Sequence, residues 1–251
     1  ENAVSAALKL GYRFFDTAQI YGNASAIGRG VLLSDLPRAE IFISSKIWTS
    51  HRSYDGVMRA FTDIIEQLKT TYLDQLLIHW PATQGEPMIW QSQNAGTWRA
   101  LEDLYEQGAV KVIGVSNFLP HHLVPLLARA RIRPMVNQLE IHPGYPQFAA
   151  VNFCFKQNIA VQAWSPLGRG GLTHHPLLIE LGEKYGVSPA LIALRWSLQH
   201  GFIPVVKALD AEHMKSNLDA FGLTLEDEDM TRLDTMQQVA FSGLHPDTVT
   251  F

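Results

Sequence analysis

Four residues of complementary chemistry stand at or just beyond the ends of three apolar runs in this 251-residue chain. Asp16 closes the run that includes Phe14 and Phe15, and Tyr21 follows five positions later on a turn containing Gly22. Lys46 lies near the end of EIFISSKIW, and His79 near the end of LDQLLIHW. An acid, a phenol, an amine and an imidazole form a set suited to moving one proton. An ammonium beside a phenol favours departure of the phenolic proton, and Asp16 can hold that ammonium in place. His79 can orient a carbonyl oxygen, leaving Tyr21 to protonate it as general acid. Singly, each residue has a plainer use: a turn cap, a structural ion pair, a core histidine. Their recurrence at successive run ends favours a joint role.

For the four to meet, the runs must be neighbouring strands that end on the same side. Strand-like runs at 12–16, 40–48, 73–80, 110–116, 134–142, 159–165 and 202–207 alternate with helix-like stretches at 24–33, 54–70, 94–107, 121–130, 148–158, 177–185 and 189–200. A helical stretch at 1–10 opens the chain, and two more, at 211–220 and 226–239, close it. Thr224, with Asp227 three residues on, reads as the cap of the last helix. Apolar strands alternating with amphipathic helices indicate a parallel sheet covered by helices, so the fold class is α/β. An open sheet that binds a dinucleotide carries Gly-x-Gly-x-x-Gly after its first strand. None stands there, and a (β/α)8 TIM barrel is favoured. In a barrel the strand ends share one mouth, which would gather Asp16, Lys46, His79, Ser116 with Asn117, Gln138 with Glu140, Trp164 with Ser165, and Lys207. A barrel needs eight strands, whereas this chain opens at Glu1 on a helix. The first strand and the N-terminal hairpin are thus expected on a longer chain. No break in composition divides residues 1–251, which read as one barrel domain.

Composition narrows the function classes. Hydrophobic residues make up 47% and charged residues 18%, an ordinary globular balance. The net charge of −4 and the lack of a basic, aromatic-laced cluster give a nucleic-acid partner little support. No apolar run approaches the roughly 18–20 residues that span a bilayer. Cys154 is the only cysteine, so no internal disulfide can form, and a reducing, cytoplasmic setting is expected. It falls in an apolar helical stripe and reads as inert. Asn23-Ala24-Ser25 matches a glycosylation acceptor but reads as incidental. His121-His122 and His174-His175 lack neighbouring cysteines or carboxylates in sequence, so no metal site is expected. Glu226 to Asp229 reads as a solvated, acidic helix start that suits the helix dipole.

The motifs Phe15-Asp16-Thr17-Ala18-Gln19-Ile20-Tyr21-Gly22-Asn23, Ser45-Lys46-Ile47-Trp48, Leu77-Ile78-His79-Trp80-Pro81, Val115-Ser116-Asn117-Phe118, Asn137-Gln138-Leu139-Glu140, Trp164-Ser165-Pro166-Leu167-Gly168 and His245-Pro246-Asp247-Thr248 fall in order along the chain. Together they resemble the aldo-keto reductase family, in particular its bacterial and plant-like members. The resemblance implies a (β/α)8 barrel that reduces aldehydes or ketones with NADPH. It implies Tyr21 as proton donor, Lys46 and Asp16 as the pair that tunes it, and His79 as the residue that positions the carbonyl. Ser116, Asn117 and Gln138 would hold the nicotinamide carboxamide, and Trp164 would stack on the ring. Ser165, Leu167 and Gly168 would follow the pyrophosphate, and Lys207, Ala208, His213 and Asn217 would meet the adenosine phosphate. Trp48 and Trp80 would line an apolar substrate pocket, shaped further by the loop at 82–93 and the tail beyond Phe241. The protein is expected to be a monomer.

Two further positions depart from the family pattern. Ala208 stands where a serine usually follows the last-strand lysine, and His213 where an arginine usually pairs with the 2′-phosphate. An imidazole titrates near neutrality and lacks the guanidinium fork, so NADPH preference would weaken and NADH use becomes open. A catalytically silent, cofactor-sensing barrel subunit is the alternative reading. A Schiff-base aldolase using Lys46 is a third, but it leaves Tyr21 without a role.

Overall fold

The computed structural model describes residues 1–82 and 87–250. They fall into two compact units, one within residues 1–137 and 245–250 and one at residues 138–244. The first unit begins with α1 (Asn2–Lys9), β1 (Phe14–Asp16), α2 (Ala24–Leu32) and β2 (Phe42–Ile47). It continues with α3 (Tyr54–Leu68), β3 (Leu73–Ile78), α4 (Pro87–Glu106), β4 (Val110–Ser116) and α5 (Pro120–Leu127). β1 to β4 are parallel neighbours, with Asp16 beside Ser44, Lys46 beside Leu77 and Ile78 beside Val115.

All six residues of β3 are buried, as expected of a strand covered on both faces. The buried polar groups it carries find partners: the Gln75 amide donates to Ser44 Oγ at 2.9 Å. The Asp74 carboxylate accepts from the Ile43 amide at 3.0 Å, from Arg38 at 2.8 Å and from Lys111 at 3.0 Å. α3 starts on Ser53, whose hydroxyl oxygen accepts from the Gly56 amide, and buries Val57, Ala60, Phe61, Ile64 and Leu68 at helical spacing.

The second unit takes in the end of β5 (Val136–Glu140), then α6 (Phe148–Lys156), β6 (Ala160–Trp164), α7 (Pro176–Tyr185) and α8 (Pro189–Gln199). β7 (Ile203–Val205), α9 (Ala211–Leu218) and α10 (Asp227–Asp234) complete it. β7 runs parallel to β6, with Val205 beside Trp164. The strand order is sequential from β1 to β7. Trp196 is fully buried and donates through its indole to Asp234 at 2.7 Å, and Cys154 is buried in α6.

Three sequence expectations are corrected. α4 starts at Pro87, not at residue 94, and residues 83–86 of the expected pocket loop at 82–93 lie outside the described residues. The last helix is capped at Glu226, not Thr224, and ends at Asp234. Beyond it, the Val239 amide donates to Gly144, a tertiary partner that replaces further helical bonding. Asp229 is not solvated: it is 2% exposed and accepts from Lys184 and Tyr185 of α7.

α2 and α3 cross at a glycine. A Cβ on Gly28 would fall 2.5 Å from the Leu68 carbonyl oxygen. Gly28→Ala gains about 1 kcal/mol of helix propensity, but overpacking at a backbone contact costs about 1–3 kcal/mol or more. The net effect is expected to be destabilising, and the melting temperature should fall by several degrees. A rise would show that α2 can move off α3 freely.

Candidate active site

The sequence places Asp16 at the last position of β1, and the chain then makes a tight 3-10 turn over Gln19–Tyr21. Gly22, at φ 62°, closes the turn in the left-handed region that glycine adopts without strain. Tyr21 is left 50% exposed. The Gln19 side chain accepts from the Trp48 amide at 3.0 Å, tying the loop after β1 to the loop after β2. Thr17 and Asn23 hydrogen-bond through their side chains across the same turn.

Lys46 is fully buried in β2. A buried ammonium must be paired and hydrogen-bonded, and Lys46 Nζ donates to the Asp16 carboxylate and to the Thr17 carbonyl, the latter at 3.1 Å. The same ammonium lies 5.3 Å from the centre of the Tyr21 ring. The His79 ring stands edge-on to Tyr21, with centroids 5.8 Å apart, and edge-on to Trp48 at 5.0 Å. Trp80 stacks beside it at 6.5 Å.

His79 follows β3, its amide bonded to the Ile47 carbonyl at 3.1 Å and its own carbonyl accepting from Asn117 at 3.0 Å. Asn117 sits at φ 64° and also donates to Ser116 Oγ at 3.1 Å. Burial first, and the Lys46 charge second, push the His79 pKa down to about 3. The imidazole is thus neutral near pH 7. Its Nδ1 is buried and has no hydrogen-bond partner among the described residues, which distinguishes it from a satisfied core histidine.

The first unit accordingly gathers Asp16, Tyr21, Lys46, Trp48, His79 and Trp80, with Ser116 and Asn117 joined through the His79 backbone. Charge balances at the centre, where Lys46 meets Asp16, and a neutral imidazole and an exposed phenol stand beside the pair. Three positioning residues escaped the sequence reading. Gln19 is described above. Arg52 donates to the Pro81 carbonyl at 2.8 Å, and Asn94 accepts from the Ala82 amide at 2.9 Å. Gln19 lies inside a recognised motif, whereas Arg52 and Asn94 carry no local signal because their partners are backbone groups about 30 and 12 positions away.

In the second unit, Gln138 is buried and donates to Gln162 at 2.9 Å. Trp164 and Ser165 are partly exposed at the end of β6, Ser165 at φ 50°. Leu167 packs against Leu191, Leu194 and Ala220, and Gly168 is buried at φ 53°. Lys207 and His213 are exposed, while Ala208 and Asn217 are partly buried. Asp210 turns its carboxylate onto the amides of Glu212 and His213, capping α9. An indole, a hydroxyl and an exposed ammonium, with no acid in 164–168 or 205–208, form a donor set that suits a flat, phosphate-bearing ligand.

The expectation that His121 and His122 lack a carboxylate is corrected: Asp247 reaches His121 Nε2 at 2.8 Å and His122 Nε2 at 3.0 Å. One ligand atom from each of His121, His122 and Asp247 lies within 4.8 Å of the others, close enough to hold a metal ion. His122 Nδ1 accepts from the Leu119 amide at 3.1 Å, which puts the ring proton on Nε2, facing Asp247.

The chain matches the Aldo/keto reductase family over residues 1–238. The chain belongs to that family. Glyoxal reductase of Bacillus subtilis is 41% identical over 249 residues, covering 99% of this chain and 87% of that protein. The crystal structure of MGS-M4, an aldo-keto reductase enzyme from a deep-sea metagenome library, superposes with a TM-score of 0.93 at 36% identity, covering 100% of this chain and 90% of the other. A mutant of Gox0644 in complex with NADPH gives 0.91 at 36% identity, with 100% and 89% covered. The fold is therefore the family's (β/α)8 barrel, of which seven parallel strands are described here. As an aldo-keto reductase the protein is an oxidoreductase that reduces carbonyl groups with NAD(P)H.

His79 makes stability depend on pH. Unfolded, its imidazole titrates near 6.5, and folded near 3. As pH falls the unfolded chain takes up the proton first, so this stabilisation is complete above 6.5 and is lost towards 3. His122, held near 4 by burial and then by His121, acts in the same direction. His79→Gln should flatten the pH dependence of the urea midpoint between about pH 6.5 and 5. Parallel curves for variant and wild type would count against a buried, neutral His79.

Proposed function

We propose that Tyr21 is the proton donor in the reduction of an aldehyde or ketone by NADPH. The observation that carries this reading is the exposed Tyr21 hydroxyl-bearing ring placed between the buried Lys46–Asp16 pair and a neutral His79. NADPH, when bound, supplies the hydride that adds to the carbonyl carbon. The Tyr21 O–H bond breaks and its proton passes to the carbonyl oxygen, giving the alcohol. The phenolate that remains faces the Lys46 ammonium, which Asp16 and the Thr17 carbonyl hold in one position. His79, uncharged, orients the carbonyl oxygen without competing as an acid, and Trp48 and Trp80 give the substrate apolar walls.

Ser116, Asn117 and Gln138 are proposed to hold the carboxamide and Trp164 the nicotinamide ring. Ser165, Leu167 and Gly168 are assigned to the pyrophosphate, and Lys207, Ala208, His213 and Asn217 to the adenosine phosphate. We also propose a single-domain, monomeric, cytoplasmic enzyme. The lone, buried Cys154 supports a reducing compartment, and no helix among the described residues is long and apolar enough to cross a membrane.

Tyr21→Phe removes the transferred proton and leaves the ring. Turnover of a simple aldehyde, followed by nicotinamide absorbance, should fall by about 10²–10⁴-fold, with NADPH binding retained. If wild type and variant are equally inactive across a carbonyl panel while both bind NADPH, the silent cofactor-sensing subunit becomes the better reading.

His213 yields a second test. Its imidazole lacks the planar guanidinium fork with which an arginine grips a phosphate through two N–H groups. The preference for NADPH over NADH, read as the ratio of the two kcat/KM values, should therefore be larger in His213→Arg than in wild type. An unchanged preference in His213→Arg would remove His213 from the phosphate site.

A further inference from the structure

Past α10 the chain does not run free. Each of the residues 239–242 is fastened to the end of β5 or to a loop that follows β5 or β6. The Val239 amide donates to the Gly144 carbonyl at 3.2 Å, and Val239 Cγ1 lies 2.6 Å from the place a Gly144 Cβ would occupy. Ala240 sits at φ 59°, and its methyl lies 2.6 Å from where a Cβ on Gly168 would be. The Phe241 ring packs on Tyr145, with centroids 4.6 Å apart. Ser242 gives both its amide, at 2.9 Å, and its hydroxyl, at 2.6 Å, to the carboxylate of Glu140, which is 2% exposed. Leu244 donates back to Ser242 Oγ at 3.2 Å.

The loop on which Ala240 rests is strained. Ser165, Gly168, Arg169 and Gly170 have φ of 50°, 53°, 54° and 90°. Ser165 and Arg169 have side chains that disfavour the left-handed region, and such conformations persist only where surrounding packing enforces them. Ala240, itself left-handed, supplies that packing: its methyl takes the space that any side chain at 168 would need and lies 3.4 Å from where a Cβ on Gly171 would be. The loop carries the Ser165 hydroxyl and the exposed Arg169, and no acid from 165 to 174.

We infer that residues 239–242 form a strap that holds the 165–172 loop in the shape that receives the cofactor's diphosphate, with Glu140 and Ser242 as its fastening and the Gly168–Ala240 contact as its key. The inference rests on the proposed placement of the diphosphate at Ser165, Leu167 and Gly168. Glu140 and Ser242 are positioning residues: they act through the strap and not by touching the ligand.

The test uses the full chain and NADPH itself. Ser242→Ala withdraws one of two donors from a buried carboxylate, and the NADPH dissociation constant, read by quenching of tryptophan fluorescence, should rise about ten-fold. Ser242→Thr keeps the hydroxyl and should restore binding. Ala240→Gly removes the keying methyl at a φ that glycine favours, so folding is retained while NADPH affinity falls. In both weakened variants, limited proteolysis without ligand should cut faster at 239–244, and NADPH should protect. Loosened proteolysis with a wild-type NADPH dissociation constant would overturn the strap, as would an effect confined to the KM of the carbonyl substrate. Failure of wild type to bind NADPH would instead overturn the underlying cofactor reading.

Discussion

The buried contact between Lys46 and Asp16 is the constraint on which the site depends. An ammonium with no solvent exposure persists only with a carboxylate and further acceptors around it, and removing one partner of such a pair costs about 3–5 kcal/mol. Meeting that need brings the end of β1 against β2 and turns the Thr17 carbonyl inward. The turn that follows then has one place to go, over Gln19–Tyr21, and Tyr21 is set above the ammonium. The Tyr21 phenol is thus positioned by the electrostatic satisfaction of a lysine in the core, assisted by the Gln19–Trp48 bond.

His79 complements that pair because it is neutral. Its surroundings, Tyr21, Trp48 and Trp80, exclude water, and the nearby ammonium opposes a second positive charge. Both effects act in the same direction, so the ring can accept or donate a hydrogen bond without gaining charge. The same burial that sets His79 among aromatic rings makes the protein lose stability as pH falls, which links the geometry of the proposed site to folding energetics through one residue.

Much of this was legible in the chain. Apolar runs ending in Asp16, Lys46 and His79 mark strand ends, and β4 occupies the very span, 110–116, that its pattern indicates. The alternation of strands with amphipathic helices gives the parallel order. What failed to show locally were groups whose partners lie far away. Asp229 looks like part of a solvated acidic start until α7 brings Lys184 and Tyr185 to it. His121 and His122 gain Asp247 from 126 and 125 positions along the chain, and the last helix stops at Asp234, beyond which Val239 bonds to Gly144.

By itself, then, the sequence determined which side chains could do chemistry and which class of fold presents them, because residue type and hydrophobic period are local properties. Tertiary structure alone decided that His79 is neutral, that its Nδ1 is unpartnered among the described residues and that Lys46 is sealed from water. It also decided that the segment after α10 is pinned across the loop at Gly168. Each of these depends on what surrounds a group in three dimensions, and desolvation, pairing and close packing have no signature in the order of residues.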